Sequence, residues 1–309
     1  MTAVSLPTDE LGAPLPRYDR PPEVDSGPVE VAPSELVAFG ELDAALAGSG
    51  LTEGSALLLR ALLRSGRSAT FPGGGVGIEY GRLLKSATRP DHLAPHLREA
   101  AAYLRERQAD VLVVPGMSGY PVGAMYSAVS GLPALLLKKQ RLPLDGAAAT
   151  FPVGSFVIPS YTGEGDVVMS ADLAALEDMV EAVVARQLGE QSGEPAVDLT
   201  LRIAGADDII DKATMSLAVS ESALGIGRIA VGRCVARHRA RTGDTRTITE
   251  DVQVVGWVTP LVKGYNRAAE HLRSRLGTTT FAGLTVTSVH LDPPAIGIDG
   301  LGVVLFGDR

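Results

Sequence analysis

The stretch Ala109–Gly146, "ADVLVVPGMSGYPVGAMYSAVSGLPALLLKKQRLPLDG", decides the fold. Val111 to Val114 is a short, unbroken apolar run, the pattern of a strand buried on both faces. A Gly/Ser loop follows, then a helical stretch, then a second apolar run from Ala134 to Leu137 that ends in Lys138 and Lys139. Two buried-type strands joined through a helix form a βαβ unit, which implies a parallel sheet with a right-handed crossover.

Working outward, the alternation continues downstream. "DVVMS" (Asp166–Ser170) reads as a strand and "ADLAALEDMVEAVVARQLG" (Ala171–Gly189) as a long helix. "VDLTLRIAG" is the next strand, "MSLAVSESALG" a helix, and "RIAVGRCVARH" (Arg228–His238) and "DVQVVGWVTPLV" (Asp251–Val262) two more strands. Upstream the spacing is helical. Ser34–Gly50 offers Ser34 as an N-cap, Thr52–Gly66 has the same character, and Arg89–Gln108 carries Leu93, Leu97, Ala101 and Leu104 on one stripe. The fold expected is α/β, an open and mostly parallel sheet flanked by helices, with a C-terminal α+β addition. Residues 1–32 hold Pro7, Pro14, Pro16, Pro21, Pro22 and Pro28 and read as an extended or disordered arm. Residues 33–264 form the α/β domain, and residues 265–309 a C-terminal extension packed on the core.

Composition excludes several classes of function. The chain has 309 residues, 45% hydrophobic and 21% charged, enough to bury a substantial core. A net charge of -8 argues against a nucleic-acid footprint, which needs a basic face, but not against a small anion held by local lysines and backbone amides. The single cysteine, Cys234, rules out an intrachain disulfide and a cysteine-rich zinc site. Among the five histidines only His92 and His96 have helical i, i+4 spacing, and without further ligands they read as part of a solvated face. No apolar run is long enough to span a membrane, and no signal pattern opens the chain, so the expected location is the cytoplasm.

In open parallel sheets, ligands bind beyond the carboxyl ends of the strands, and three loops fall there. "PGMSGYPVG" (Pro115–Gly123) can turn backbone amides toward an anion at a helix N-terminus, or its glycines relieve sterics in an ordinary tight turn. Lys138 and Lys139 precede a long Gly/Ala/Pro loop and can hold a diphosphate under a mobile lid, or form a solvated strand end. In "LRIAGADDIIDKATMSL" (Leu201–Leu217), Asp207 and Asp208 can accept hydrogen bonds from neighbouring ribose hydroxyls. Thr214 and the helix amides beside it can hold a phosphate. The same acids also suit a solvated turn that complements the helix dipole.

The order of these loops resembles the type I phosphoribosyltransferase family, nearest its adenine-type branch. "FPGGGVGIEY" (Phe71–Tyr80) looks like that branch's N-terminal segment near the base. "GLPALLLKKQRLPLDG" looks like its basic strand end and lid, and "PSYTGEGDVVMSADL" like its segment after the lid. "ADDIIDKATMSL" is similar to its signature loop for phosphoribosyl diphosphate (PRPP). The resemblance runs from about residue 45 to about residue 262. It departs where glycines normally wrap the 5-phosphate: Asp211, Lys212, Ala213, Thr214 and Met215 stand there, restricting the positive-φ geometry of an anion nest, and Asp211 would oppose a phosphate. The long helix from Leu173 to Gly189 is a second departure.

The resemblance implies a pentosyltransferase that moves a phosphoribosyl group from PRPP to a nucleobase or similar nitrogen heterocycle, releasing diphosphate. It implies catalytic Asp207 and Asp208 on the ribose hydroxyls, with one possible as a base. Lys212 and Thr214 fall at the 5-phosphate, Ser118, Gly119 and Tyr120 in the diphosphate loop, and Lys138 or Lys139 on the leaving group. Phe71 and Val76 to Ile78 sandwich a flat acceptor, Phe71 being nearly as good a core residue. Mg²⁺ is expected through PRPP rather than on protein ligands, and a homodimer is usual in the family. Two other readings stay open: a non-catalytic PRPP or nucleotide sensor, and an enzyme acting on an unphosphorylated riboside.

Overall fold

The computed structural model describes residues 7–19, 36–70, 76–84, 89–142, 149–159 and 165–307. Near the N-terminus β1 (Thr8–Asp9) and β2 (Leu36–Val37) are short, and helices α1 (Leu42–Gly48) and α2 (Glu53–Ser65) follow. The expected single helix over Ser34–Gly50 is therefore shorter, and Ser34 lies outside the described residues. Thr52 caps α2 by accepting a hydrogen bond from the Ser55 amide at 3.1 Å, which satisfies one of the donors a helix start leaves open. Strands β3 (Arg67–Thr70) and β4 (Val76–Glu79) pair as an antiparallel hairpin outside the main sheet, leading to a single turn of helix, α3 (Gly81–Leu84). Helix α4 (Pro90–Glu106) buries Leu93, Leu97, Ala101 and Leu104, the stripe read from the sequence.

The central unit is β5 (Val111–Pro115), α5 (Tyr120–Ser130) and β6 (Ala134–Arg141), with β5 and β6 parallel. Next come β7 (Thr150–Phe151), β8 (Phe156–Pro159) and β9 (Asp166–Ser170), then α6 (Leu173–Glu190), β10 (Ala196–Ala206), β11 (Ile209–Ile210), α7 (Thr214–Thr242) and β12 (Thr247–Lys263). The chain ends in α8 (Ala268–Leu276), β13 (Thr279–Leu291), β14 (Pro294–Ile298) and β15 (Gly302–Leu305). Among the described residues the main sheet runs β2-β15-β14-β13-β12-β10-β5-β6-β9-β8, with β11 continuing the β10 track beside β12. Its middle, β13-β12-β10-β5-β6, is parallel throughout. The open, mostly parallel α/β sheet expected from the sequence is what the chain forms.

Each face of the sheet carries its own core. One contains Leu201, Ile203, Val180 and Ala230, with α6 and α7; the other contains Leu112, Val114, Ala204 and Leu93, with α2, α4 and α5. Residues alternate between the two along β5 and β10, as the pleat requires. The Arg228–His238 stretch, expected as a strand, is the second half of α7. Ala230 and Cys234, like Val231 and Val235, are buried one helical turn apart, while Arg233 and Arg237 turn outward to Glu177 at 2.8 and 2.5 Å. That period is helical, and paired apolar residues within it mimic a strand.

The N-terminal half of β10 runs past the start of β5, which would leave a bare strand edge. Side chains complete it. The Gln187 carboxamide accepts from the Thr200 amide (3.0 Å) and donates to its carbonyl (2.8 Å), Gln191 does the same at Asp198, and Asp110 brackets Arg202. Backbone polar groups at a covered edge must find partners, and Gln187 of α6, Gln191 just past its end and Asp110 before β5 supply them. At the β8 edge of the sheet the Tyr18 amide donates to the Val157 carbonyl at 3.0 Å and Arg17 pairs with Asp166. The arm thus lies along β8 at Arg17 and Tyr18, while Thr8–Pro14 doubles back in a turn beside β7.

Candidate functional site

Register places the candidate residues at one height. Gly205 of β10 is level with Val113 of β5, and Pro115 of β5 with Leu137 of β6. Asp207 and the Pro115–Gly119 loop, at the carboxyl ends of β10 and β5, thus lie beside Leu137 of β6, where the parallel pairing with β5 ends. Strand β6 itself, expected to stop at the Lys138–Lys139 pair, continues to Arg141 and pairs antiparallel with β9 over Lys138–Arg141. A Cβ at Gly119 would stand 2.8 Å from Asp207 Oδ1 and 2.8 Å from the Pro115 carbonyl. The loop therefore passes directly against the acid. A Cβ at Gly116 would stand 2.5 Å from the Leu137 carbonyl, which accepts the Tyr120 hydroxyl at 2.5 Å. Tyr120 braces the loop against Leu137 of β6, and burial raises its pKa. Ser118 is half-buried beside it and Met117 is exposed.

The acids do not occupy a simple strand-to-helix turn. The track beside β12 breaks at Asp207 and Asp208, resumes at Ile209 and Ile210 opposite Leu261 and Val262, and only then turns into α7. The break faces Thr259 and Pro260, and a proline has no N–H to give the ladder. Asp207 is 8% exposed and Asp208 1%. Asp207 Oδ1 accepts from the Asp208 amide at 2.8 Å, and the Tyr80 hydroxyl donates to Asp208 Oδ2 at 3.2 Å.

The turn into α7 corrects two expectations. Ala213 takes the left-handed conformation (φ 62°, ψ -3°) at the position before the helix, so the positive φ is reached without glycine. Asp211, expected to oppose a phosphate, is held aside: Lys263 Nζ lies 2.8 Å from Oδ2, and Asn266 Nδ2 donates to Oδ1 at 2.5 Å. Lys212 is half-buried, and Thr214 Oγ1 is buried without a hydrogen-bond partner among the described residues.

Other candidates separate. Leu135 and Leu137 face one core while Leu136 is exposed, so alternation sends Lys139 to the Leu137 side of β6 and Lys138 to the Leu136 side. The pair is not a single cationic patch. Ile78, expected on an acceptor wall, is buried in the second core, and Val76 next to it is exposed. Phe71 and the greater part of the expected lid, residues 143–148, lie outside the described residues. His96 does not decorate a solvated face. It is fully buried, stacked on Phe281, with Nε2 2.6 Å from the Tyr126 hydroxyl. Burial pushes its pKa down to about 4, while burial and the charge of Asp207 hold Tyr126 well above an ordinary phenol.

Sequence reasoning missed Tyr80, Lys263 and Asn266. Lys263 was findable, because it ends β12 on the same edge of the sheet and the strand-end rule applied to the other strands applies there too. Among the described residues no cluster of three or more His, Cys, Asp or Glu stands ready to hold a metal, and no helix is long and apolar enough to cross a membrane.

Neither a scan of protein-family models nor a search of curated proteins finds a match. Among solved structures the chain is similar to adenine phosphoribosyltransferases. The enzyme from Saccharomyces cerevisiae, complexed with an imino-altritol bisphosphate and adenine, is 13% identical at a TM-score of 0.44, covering 74% of this chain and 99% of that one. The Rhodothermus marinus enzyme is 16% identical at 0.42, covering 74% and 98%. The Trypanosoma brucei enzyme, complexed with AMP, pyrophosphate and ribose-5-phosphate, is 12% identical at 0.42, covering 73% and 77%. Overlaps this loose carry no argument about chemistry, which rests on the residues themselves.

Proposed function

We propose that the chain is a phosphoribosyltransferase-like enzyme that moves a phosphoribosyl group from PRPP to a ring nitrogen of a nucleobase or similar heterocycle, releasing diphosphate. The observation that carries this reading is the common height of Asp207, the Gly119 loop and Leu137 of β6 on adjacent parallel strands. In this reading the bond from the ribose anomeric carbon to diphosphate breaks as the bond to the acceptor nitrogen forms, through an oxocarbenium-like transition state.

Each group has a part in that reaction. Asp207 and Asp208 accept hydrogen bonds from the ribose hydroxyls and fix the sugar, and one of them takes the proton the acceptor sheds. Diphosphate sits on the loop of Ser118 and Gly119 at the start of α5, with Tyr120 bracing the loop and one of Lys138 or Lys139, now on separate faces, matching the leaving charge. The 5-phosphate lies at the start of α7 with Lys212 and the otherwise unsatisfied Thr214 hydroxyl. Diversion of Asp211 to Lys263 and Asn266 removes the charge that would repel it. Mg²⁺ asks for six oxygens, more than these two acids offer, so donor and water oxygens would complete its shell and the ion would screen the departing diphosphate. The reading extends to a cytoplasmic homodimer in which residues 1–32 precede the catalytic domain and residues 265–309 add strands to its sheet through β13.

The test is diphosphate release from PRPP and Mg²⁺ with a panel of purines, pyrimidines and small heterocycles. Release with one of them is expected. PRPP binding without release on any acceptor would point to a sensor, and binding of ribosides alone to an enzyme acting on unphosphorylated sugars.

A further inference from the structure

The reading above leaves Tyr80 without a task. It sits between β4 and α3, and its carbonyl accepts from the Leu83 and Leu84 amides at 2.9 and 3.3 Å. Both leucines are buried in the core beneath α2 and α4. The backbone is therefore pinned and the phenol has a fixed starting point. From there the hydroxyl crosses to the main sheet and donates to Asp208 Oδ2, a carboxylate on a different strand track and almost wholly out of water. A buried carboxylate needs donors to stay charged and oriented. A residue that only walled a cavity would use its ring, not a hydroxyl aimed at the acid.

We propose that Tyr80 is a positioning residue of the donor site, holding the Asp208 carboxylate in the rotamer that receives a ribose hydroxyl. The inference rests on the donor-site reading above, and it makes the β3–β4 hairpin, outside the main sheet, part of the donor grip. Val76 opens β4, the strand that leads into Tyr80, and is exposed, so one small element both sets the sugar-binding acid and offers the acceptor a surface.

Tyr80→Phe keeps the ring and its packing and removes only the donor. Loss of a hydrogen bond to a charged group is expected to weaken PRPP binding about tenfold. Calorimetry with PRPP and Mg²⁺ reads this directly, with the thermal midpoint and the Michaelis constant for the acceptor measured beside it. The expected result is a weaker PRPP constant with the acceptor constant unmoved and only a small fall in the midpoint from the lost hydrogen bond, the protein staying folded at the titration temperature. A purely structural tyrosine would not give that split. Unchanged or tighter PRPP binding in the variant overturns the inference, as does a fall in the midpoint that accounts for the loss. Wild-type protein that binds no PRPP defeats the donor-site reading itself, which keeps the two failures distinct.

Discussion

After β5 the chain enters α5 through Gly116 and Gly119, whereas after β10 it reaches α7 through a glycine-free stretch, Asp207–Thr214. At the first crossing the glycines are needed for space and not for an unusual φ: Gly119 has φ -72°, and what forbids a side chain there is Asp207 on one side and backbone on the other. At the second the unusual φ is present at Ala213, and salt-bridge and hydrogen-bond partners from the end of β12 hold the turn in place. A loop that must pass another chain segment at contact distance depends on glycine. A turn whose left-handed residue packs its methyl into the core can instead be held by charged partners, at a strain of about 1 kcal/mol for an L residue at positive φ.

The sharpest way to break this comparison is Gly119→Ala. The added methyl must displace the Asp207 carboxylate or the Pro115 carbonyl, and misplacement on the ångström scale lowers turnover about 100-fold. Steady-state diphosphate release measures it, and near-normal turnover would mean that the loop and the acid do not work as a unit. Lys263→Met comes next. It leaves Asp211 with Asn266 but without its cation, and breaking a mostly buried pair this way should lower stability by about 2 kcal/mol. Chemical denaturation reads the loss, and a stability equal to wild type would show that the turn is held by something else. The smallest effect is expected from Ala213→Gly. Relief of the left-handed strain is offset by a lost buried methyl and a more flexible unfolded chain, leaving a net change under about 1 kcal/mol. A drop of several kcal/mol would identify the methyl, not the Lys263 clamp, as what holds the turn.

The same contrast explains what could be read from the sequence. The β5–α5–β6 unit was legible because Val111–Val114 and Ala134–Leu137 are short, dense apolar runs, although β6 carries on through the polar residues Lys138–Arg141, which pair with β9. The ends of β5 and β10 were legible because an apolar run stops there at a Gly/Ser loop or an acidic pair, whereas Lys138 and Lys139, expected at a strand end, lie inside β6. The second half of α7 was not legible, since Ala230–Val231 and Cys234–Val235 look like strand segments until Arg233 and Arg237, one helical turn apart, are seen to meet Glu177. The burial of His96 was hidden because its partners, Tyr126 and Phe281, come from α5 and β13, far along the chain. Long-range pairs such as Tyr80 with Asp208 leave no local signal at all. The glycine-free turn read as a defect in an anion nest because its compensation, Lys263 and Asn266, lies beyond a whole helix and strand.

The central claim is that Asp207 and Asp208 together hold the ribose of PRPP. Calorimetric titration of PRPP with Mg²⁺ into the wild type and into the Asp207→Asn, Asp208→Asn double variant tests it most directly. Exchanging both carboxylates for amides of the same shape removes hydrogen bonds to charged groups, so binding should weaken about 100-fold or more with the fold intact by circular dichroism. Equal affinity in the two proteins would contradict the account.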